Sequence, residues 1–252
     1  ASPTLRINMG SNAFDVSGSL LFATGEDLIV EAGDVTFNNV TFQGAGGMSL
    51  TGGTTTFANR QLTFGNGGGI TINGGTLNFT GASAEIKGAI TSDGYDIELT
   101  TGTLDISNAT ITELNGSGIS LNGGTFTATG TIFSNGLGTS YLTFGTGFDG
   151  NTYSSLTFNT GPTFNVVMLN GVDETITFDG FSGDFAGPAN DSPGDLGTIT
   201  WNAAPATAPT VQATNAQASS VTQTTANISW TNGNGASRIV AIAEGSPAFP
   251  TV

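Results

Sequence analysis

The stretch ITINGGTLNF at residues 70–79 decides the fold of this chain. Apolar and polar side chains alternate on both sides of a central Asn-Gly-Gly-Thr, and a period of two is typical of a strand with one buried face. Glycine adopts the positive φ angles that a sharp turn requires, and asparagine tolerates them. The stretch therefore predicts two short strands joined by a corner, with Ile70, Ile72, Leu77 and Phe79 facing a core.

This layout of two apolar-x-apolar pairs occurs five times, at steps of 20, 22, 27 and 22 residues. Of the 20 pair positions, 19 are apolar and Thr55 is the exception, whereas a chain with 37% hydrophobic residues would place about seven there by chance. The residue between the members of each pair is polar in all but one case, which completes the alternation. The copies are Leu28/Val30 with Val35/Phe37, Met48/Leu50 with Thr55/Phe57, Ile70/Ile72 with Leu77/Phe79, Ile97/Leu99 with Leu104/Ile106, and Ile119/Leu121 with Phe126/Ala128.

A third short strand follows the second pair in several copies. Three short strands in about 22 residues make one coil of a parallel β-helix, whose coils pair in parallel about 4.8 Å apart. A β-meander or sandwich would place hairpins every ~8–12 residues and would not keep apolar positions at one offset across all copies. We therefore predict an all-β chain built on a parallel β-helix, or β-solenoid. The third strands are Val40/Phe42, Leu62/Phe64, Ala84/Ile86 and Ala109/Ile111.

The predicted solenoid spans residues 1–201 and contains about eight to nine coils of this size. It is regular from Leu28 to Ala128, and three further apolar pairs predict a first, capping coil before that block. After residue 130 an apolar-Thr-apolar signature continues with ragged spacing. The flanking pairs are Leu5/Ile7, Phe14/Val16 and Leu20/Phe22 on one side, and Leu142/Phe144, Leu156/Phe158, Ile176/Phe178 and Ile199/Trp201 on the other.

The composition excludes several classes of function. Four basic residues accompany 19 acidic ones, for a net charge of −15, so a phosphate backbone would be repelled and nucleic-acid binding is not expected. The chain has no cysteine and no histidine, which removes disulfides, thiolate chemistry, Ser-His-Asp catalysis and His-ligated zinc. The 17 Phe and the many β-branched residues favour ordered strands over disorder.

The location of the protein is predicted from two features of the sequence. No apolar run approaches the ~18 residues of a membrane helix, so we do not expect an integral membrane protein. The chain begins Ala-Ser-Pro without Met, as a mature chain does after removal of a signal peptide, and as an arbitrary boundary also would. We expect a secreted or cell-surface protein.

The densest acidic cluster lies around the longest step of the repeat, where residues 82–95 predict a loop that bulges from the stack. Glu98 and Asp105 occupy outward positions one strand apart, and carboxylates about 5 to 9 Å apart can hydrolyse glycosides. They are the candidate catalytic pair, and ordinary solvated surface residues are the alternative. Lys87 is the nearby base, so a lyase mechanism, which needs several basic groups, is not expected. The cluster comprises Asp93, Asp96, Glu98, Asp105 and Glu113.

Four aspartates in a Gly/Pro-rich stretch are candidate calcium ligands. Ca²⁺ takes several carboxylate and carbonyl oxygens from flexible loops. The stretch has neither EF-hand spacing nor a calcium-binding nonapeptide repeat, and turn-forming aspartate is the ordinary alternative. No other cofactor is expected. The candidates are Asp179, Asp184, Asp191 and Asp195.

Threonine is frequent at the predicted outward positions of successive coils. Flat Thr-x-Thr ladders are the mark of ice-binding solenoids, and Asp34, Asn78 and Asp105 interrupt the array here. Threonine is also a good residue for any exposed strand. Ice binding is therefore a lesser alternative. The pairs are Thr54/Thr56, Thr76/Asn78, Thr103/Asp105 and Thr125/Thr127.

The composition changes at residues 202–208, a Pro/Ala-rich linker, and a different module is predicted after it. An alternating segment ending in Trp230 precedes a Gly-rich turn and a second alternating segment at 238–243. This order resembles the first half of a fibronectin type III domain, which implies a β-sandwich with Trp230 in its core. The sequence motif Trp-Thr-Asn-Gly-Asn-Gly-x-x-Arg-Ile-Val is similar to fibronectin-type repeats in large secreted surface proteins of Bacteroidota. This resemblance implies export by type IX secretion. The resemblance covers residues 209–252, part of one such domain.

These expectations favour a non-catalytic structural function: an extracellular stalk, adhesin segment or surface-presenting scaffold of a larger secreted protein. The expected partners are a surface glycan or another cell-surface component, together with the export machinery. Self-association is a further expectation, because open strand edges at a solenoid end must be capped or paired. The alternative is a polysaccharide-binding or polysaccharide-degrading module that uses Glu98 and Asp105.

Overall fold

A computed structural model of the chain describes residues 3–204, 210–211 and 213–234. Among these residues, strands are joined by turns and by the short 3-10 helix Pro188–Asn190. No helix in the described part is long and apolar enough to cross a bilayer. Contacts divide the chain into two compact units, Ala1–Ala204 and Pro205–Val252. The predicted all-β class is confirmed.

The first unit is a parallel β-solenoid of about nine turns, in agreement with the predicted eight to nine coils. Strands are numbered in chain order, and one turn of the solenoid contributes two or three of them. The strands are β1 (Thr4–Val16), β2 (Leu20–Phe22), β3 (Asp27–Phe37), β4 (Val40–Phe42), β5 (Gly47–Leu50), β6 (Thr54–Ala58), β7 (Gln61–Phe64), β8 (Gly69–Thr80), β9 (Glu85–Gly88), β10 (Tyr95–Asp105), β11 (Thr110–Thr112), β12 (Leu114–Leu121), β13 (Thr125–Thr127), β14 (Ile132–Ser134), β15 (Ser140–Phe144), β16 (Thr152–Ser154), β17 (Thr157–Phe158), β18 (Phe164–Met168), β19 (Thr175–Phe181), β20 (Asp191–Ser192) and β21 (Thr198–Ala203).

The strands stack into three lateral faces. The first face has the order β1-β3-β5-β8-β10-β12-β15-β18-β20, and the third has the order β2-β4-β7-β9-β11-β14-β17. The second face consists of β6, β13 and the second halves of β1, β3, β8 and β10, followed further along by β16, β19 and β21. Since each strand pairs in parallel with the strand one turn away, equivalent side chains form columns that run along the stack.

The predicted core is confirmed at every position of the regular block. All 20 pair positions are buried, and the most exposed of them, Phe126, is only 6% accessible. Thr55 also points inward, is 0% exposed and leaves its hydroxyl without a hydrogen-bond partner. One column runs through Leu28, Met48 and Ile70 in register. The period-2 alternation therefore identified the buried face correctly even at its one polar position.

Aromatic rings stack along two of these columns. On the third face the ring centroids of Phe22 and Phe42 lie 4.8 Å apart, and those of Phe42 and Phe64 lie 5.2 Å apart. The ring of Tyr95 extends this column, with its centroid 5.1 Å from that of Phe64. Rings one turn apart meet at the distance at which offset stacking is favourable, so the inter-turn spacing itself sets up the contact.

The corners between the first and second faces differ from the prediction in three turns. The residues predicted as separating turns lie inside the continuous strands β3, β8 and β10. Gly75 and Gly102 have φ angles of 69° and 91° and bend the chain there. Each corner bends in the same way as its neighbours, so inter-turn bonds continue through it, as from the Thr76 amide to the Gly53 carbonyl at 2.8 Å.

The predicted bulge at residues 82–95 is wrong in part. The segment contains the strand β9, which pairs in parallel with β7 and β11 on the third face. Residues 82–84 and 89–94 lie between strands, and the Gly94 carbonyl accepts a bond from the Gly67 amide at 2.9 Å. The extra length is therefore divided between the connection before β9 and a short loop after it.

The turns after residue 130 still stack in parallel, but their sequences no longer follow the regular repeat. The apolar-Thr-apolar signature lies on the first face in β15, at β17 on the third face, and on the second face in β19 and β21. The same three-residue pattern therefore serves different faces in different turns. The spacing in the sequence is irregular because the segments that connect these strands differ in length, and the parallel stack continues across them.

The second unit contains a described antiparallel hairpin. Its strands are β22 (Thr214–Ser219) and β23 (Asn227–Thr231). Trp230 lies in β23 as an alternating strand would place it, but it is 38% exposed rather than a core residue. The alternating segment predicted at 238–243 lies outside the described residues.

Candidate functional site

Glu98 and Asp105, the predicted carboxylate pair, lie in one strand, β10, on opposite sides of its corner at Gly102. They belong to different columns, because Glu98 is in register with Thr71 and Asp105 with Asn78. The Asn122 side chain donates to Glu98 at 3.2 Å, and the Ser107 amide donates to Asp105 at 2.9 Å. The structure therefore places the two carboxylates on separate faces, each with a structural partner.

The structure brings Asp96 rather than Asp105 next to Glu98. The two residues are separated by one position in β10 and lie on the same outward side, about 6.6 Å apart along the strand. Burial against the neighbouring turn raises the pKa of Asp96, and the negative charge of Glu98 raises it further. Asp96 and Glu98 therefore share one face of the stack, which Glu98 and Asp105 do not.

Asp96 forms one end of a shallow groove of about 350 Å³ on the first face. Asp27 forms the other end, and glycines at 46–47 and 67–69 form the floor. The register runs Asp27, Gly47, Gly69, Asp96 across four turns, so about 14 Å separates the backbones of the two aspartates. The Asp27 carboxylate reaches into this gap and accepts from the Gly47 amide at 3.1 Å. These glycines are required by the stack, since a Cβ on Gly69 would lie 2.8 Å from the Asp96 carbonyl. The groove is the concave polar surface that the sequence did not reveal.

Glu113, the last member of the acidic cluster, is buried, at 6% exposure, with a φ of 58°. Its carboxylate accepts bonds from the Gly88 amide at 3.3 Å, from the Asn135 side chain at 3.5 Å and from the Thr112 hydroxyl. Burial raises the pKa of Tyr95 well above its ordinary value, and the Glu113 charge adds to that shift. Glu113 therefore ties neighbouring turns together inside the stack.

The four calcium candidates each bond to a separate protein group. The Asn202 side chain donates to Asp179 at 2.7 Å, and the indole of Trp201 donates to Asp191 at 2.6 Å. Burial raises the pKa of Asp191, and the Trp201 bond opposes that shift. Among the described residues no cluster of three or more acidic side chains could hold a metal ion. Calcium binding stays a prediction.

Several carboxylates bond to backbone amides one turn away, a role that the sequence did not suggest. Such a bond satisfies an amide that the strand ladder leaves unpaired at a corner. The residues lie about one coil apart in sequence, so no local motif marks them. The carboxylates and the amides that donate to them are Asp27 and Gly47 at 3.1 Å, Asp149 and Thr175 at 2.8 Å, Glu174 and Phe148 at 2.8 Å, Asp184 and Thr160 at 2.8 Å, and Asp195 and Gly171 at 2.6 Å.

Two columns of outward residues on the second face carry threonines. Thr54, Thr76, Thr103 and Thr125 are in register from turn to turn, as the predicted Thr pairs had them. After Thr125 the Gly130 amide donates to the Ser154 carbonyl at 3.0 Å, which places Thr152 in the column of Thr127. That second column continues through Thr177 and Thr200 and also contains Thr56, Asn78 and Asp105.

Comparison with known proteins places the chain in no family. No protein-family model matches it. Neither the curated proteins nor the solved structures contain a match. Its function therefore has to be argued from its own geometry.

Proposed function

We propose that this chain is a non-catalytic structural segment of a larger secreted or cell-surface protein, a rigid β-solenoid that acts as a stalk or presenting scaffold. The observation that carries the proposal is the uninterrupted parallel stack from Thr4 to Ala203, with a single hydrophobic core. Nine turns at ~4.8 Å give a rod about 40 Å long. Such a rod would hold the segments attached to its two ends apart, and this spacer function supports an extracellular role.

The bonding of the stack supports a mechanical role. Each turn contacts only its neighbours, so the stability of the stack is roughly the sum of turn-to-turn interfaces. Each interface combines parallel backbone ladders, buried apolar columns and bonds such as that from the Gly171 amide to Asp195. Disrupting one interface leaves the others in place, which suits a segment that carries load or resists proteases.

Pulling single molecules of the full chain by its two ends tests this proposal. We expect the 3–204 segment to unfold as a mechanically resistant unit, and limited proteolysis to leave it intact while the chain after it is cut. A solenoid that unfolds at forces typical of unstructured linkers, or that proteases degrade as readily as the tail, would contradict a stalk function.

A polysaccharide-binding or polysaccharide-degrading module is the second candidate, and the groove between Asp27 and Asp96 favours it. Carboxylates, the Ser49 and Thr71 side chains and a flat glycine floor offer hydrogen bonds to a neutral sugar. Asp96→Asn should then weaken glycan binding, and Asp93→Asn, in the loop beside the groove, is the matched control. Reducing-end release that disappears in Asp96→Asn or Glu98→Gln, but not in Asp105→Asn, would favour an enzyme over a scaffold.

The proposed export and cell-surface location rest on the sequence of residues 209–252. Its resemblance to fibronectin type III repeats of Bacteroidota surface proteins supports export by the type IX pathway and a place on the cell surface. The β22–β23 hairpin supports a β-rich module after the solenoid. Fractionation of producing cells with an antibody against the solenoid tests this location, and retention in the cytoplasm would contradict it.

A further inference from the structure

The first turn of the solenoid leaves part of the core uncovered. Leu5 and Phe14 of β1 are each 43% exposed. They are in register with Leu28 and Val35 of the next turn, which are buried. Both side chains therefore point towards the core, and they are exposed because no described strand stacks on the outer side of β1. Apolar side chains grouped at an exposed surface in this way mark an interaction site.

The backbone of β1 is also open along this outer side. The strand is 13 residues long, and within the described part of the chain it pairs only with β3. Natural sheets protect such an edge with proline, lysine, bulges or very short strands, because an unprotected edge pairs with other chains. β1 contains neither proline nor lysine, and its irregular pairing is confined to the corner between Ile7 and Ala13. The edge is therefore available to a partner strand.

The opposite end of the solenoid offers no comparable edge. The last strands of the first and third faces, β20 and β17, have two residues each. Pro193, which has no amide hydrogen to donate, follows β20 directly. The 3-10 helix Pro188–Asn190 lies against β18 and β21. Head-to-tail pairing of two copies would therefore leave most of the β1 edge without partners.

Two charges make the β1 edge complementary to itself. Ile7 and Phe14 are the inward residues on either side of the corner, Arg6 lies one residue outside Ile7, and Asp15 lies one residue outside Phe14. Arg6 and Asp15 are both exposed and are equally far from the corner, on the first and second faces. A second copy related by a two-fold axis through the corner would run antiparallel to β1 and would place the partner's Asp15 opposite Arg6. Opposite charges directly across an antiparallel pair are favourable.

This complementarity is confined to the turn that has the open edge. The same two outward positions in the next four turns hold no pair of opposite charges. Arg6 already bonds to Glu31 at 2.7 Å, and its guanidinium has further donors for a second carboxylate. The equivalent pairs are Ile29/Thr36, Ser49/Thr56, Thr71/Asn78 and Glu98/Asp105.

We propose that two copies of this chain pair head to head through β1 and form a closed two-fold dimer. The β1 edges bond to each other antiparallel, and Leu5 and Phe14 are buried against the partner. Both copies use the same surface, so association stops at two. The dimer would join two nine-turn solenoids into one rod about 80 Å long.

Exchange of the two charges tests the pairing. Sedimentation of the full chain over a range of concentrations should show a dimer. Arg6→Glu and Asp15→Lys should each raise the dissociation constant about tenfold or more, because each places like charges opposite one another twice. An equimolar mixture of the two variants should dimerise again, because every pair across the axis then has opposite charges.

A matched control for the charge exchange is Asp105→Lys, in the same outward column as Asp15 but four turns from the edge. This variant should dimerise as wild type does. Thermal unfolding midpoints are compared at a dilution at which wild type is monomeric. Equal midpoints there show that a loss of dimer is not a loss of folding.

A single introduced cysteine tests which ends meet, since the chain has none of its own. The two-fold axis passes between Gly10 and Ser11, so the two copies of position 11 lie within the separation that a disulfide spans. Ser11→Cys should give a disulfide-linked dimer under mild oxidation. Ser192→Cys, in β20 at the other end, should remain monomeric in denaturing gels.

Four results would overturn the proposal. Wild type that stays monomeric at every concentration leaves the β1 edge to a different partner. Dimers that persist in both charge variants, or that the mixture fails to restore, place the interface elsewhere. A disulfide from Ser192→Cys but not from Ser11→Cys assigns the contact to the other end. Growth beyond the dimer contradicts closure. None of these outcomes bears on the stalk function, which the pulling experiment tests separately.

Discussion

The turns between residues 27 and 128 and those between 140 and 203 build the same solenoid by different means. In the first block, equivalent rings stack nearly face to face, as Phe42 and Phe64 do with 4° between their planes. In the second, some rings stack, as Phe178 and Trp201 do with 20° between their planes, and others meet edge-on, as Phe158 and Phe178 do at 83°. The second block also has four of the six bonds from backbone amides to carboxylates one turn away described above. A regular repeat is thus one way to stack turns, and irregular side-chain bonding is another.

Removing a ring from the regular block should have the largest effect. Phe64 is 0% exposed and packs between Phe42 and Tyr95. Phe64→Ala should lower the free energy of unfolding by about 3–5 kcal/mol, because it leaves a cavity in a stack that cannot close over it. Urea titration followed by circular dichroism measures the loss. Leu21→Ala, at a 64% exposed position of the same face, is the control and should change stability by less than ~0.5 kcal/mol. A loss below ~1 kcal/mol for Phe64→Ala would contradict column stacking as the main source of stability.

Two corner glycines, one in each block, should differ in their tolerance of alanine. Gly75 and Gly171 have similar φ angles, 69° and 80°. A Cβ on Gly75 would lie 2.7 Å from the backbone of Gly52, whereas a Cβ on Gly171 would have nothing within 4 Å. Gly75→Ala should therefore cost about 3 kcal/mol and Gly171→Ala about 1 kcal/mol, the latter for the backbone conformation alone.

Thermal and urea unfolding of the two glycine variants give the comparison directly. Equal losses in both would mean that the left-handed conformation dominates and that turn-to-turn contact at the corner contributes little. A larger loss at Gly171 would contradict the steric argument for Gly75.

Acid should weaken the second block through its carboxylate bonds. The Thr160 hydroxyl and amide donate to Asp184 and hold its pKa below the ordinary value of 3.8. The stabilisation from this lowered pKa is therefore present above the ordinary value and is lost as the pH falls through the lowered one. Asp184→Asn should destabilise the chain at neutral pH, and the difference from wild type should shrink in acid.

Urea midpoints of wild type and Asp184→Asn, measured at neutral pH and well below pH 3.8, test whether the stability difference shrinks in acid. Asp15→Asn, at a carboxylate in the first turn, is the control. A difference between wild type and Asp184→Asn that grows as the pH falls would show that the bond to Thr160 is not what the carboxylate contributes.

The regular block was predictable because its information is local. The spacing of Val30 and Val35 across a glycine corner recurs in each turn, and the structure buries every position that this pattern marks. The outward threonine column was predictable from Thr54 to Thr125. Beyond it the connection lengthens, and Thr152 lies in the column of Thr127, a shift that the sequence spacing does not reveal.

The candidate site was less predictable than the fold. Glu98 and Asp105 are both outward residues of one strand, as expected, but a corner separates their faces. Asp96 meets Asp27 across a glycine floor because three turn-to-turn registers align them. Pairing of this kind depends on residues 69 positions apart, for which the sequence has no local signal.

The sequence by itself determined the strands, their buried side and the parallel stacking of the regular turns, because alternation and corner glycines act over a few residues. The tertiary structure alone decided which outward residues share a column, where the groove lies and which carboxylates bond to the next turn. These features depend on register between turns, and register is set by connection lengths and by hydrogen bonds across the stack. The groove on the first face is the plainest case: Asp27 and Asp96 are far apart in the chain and are aligned only by folding.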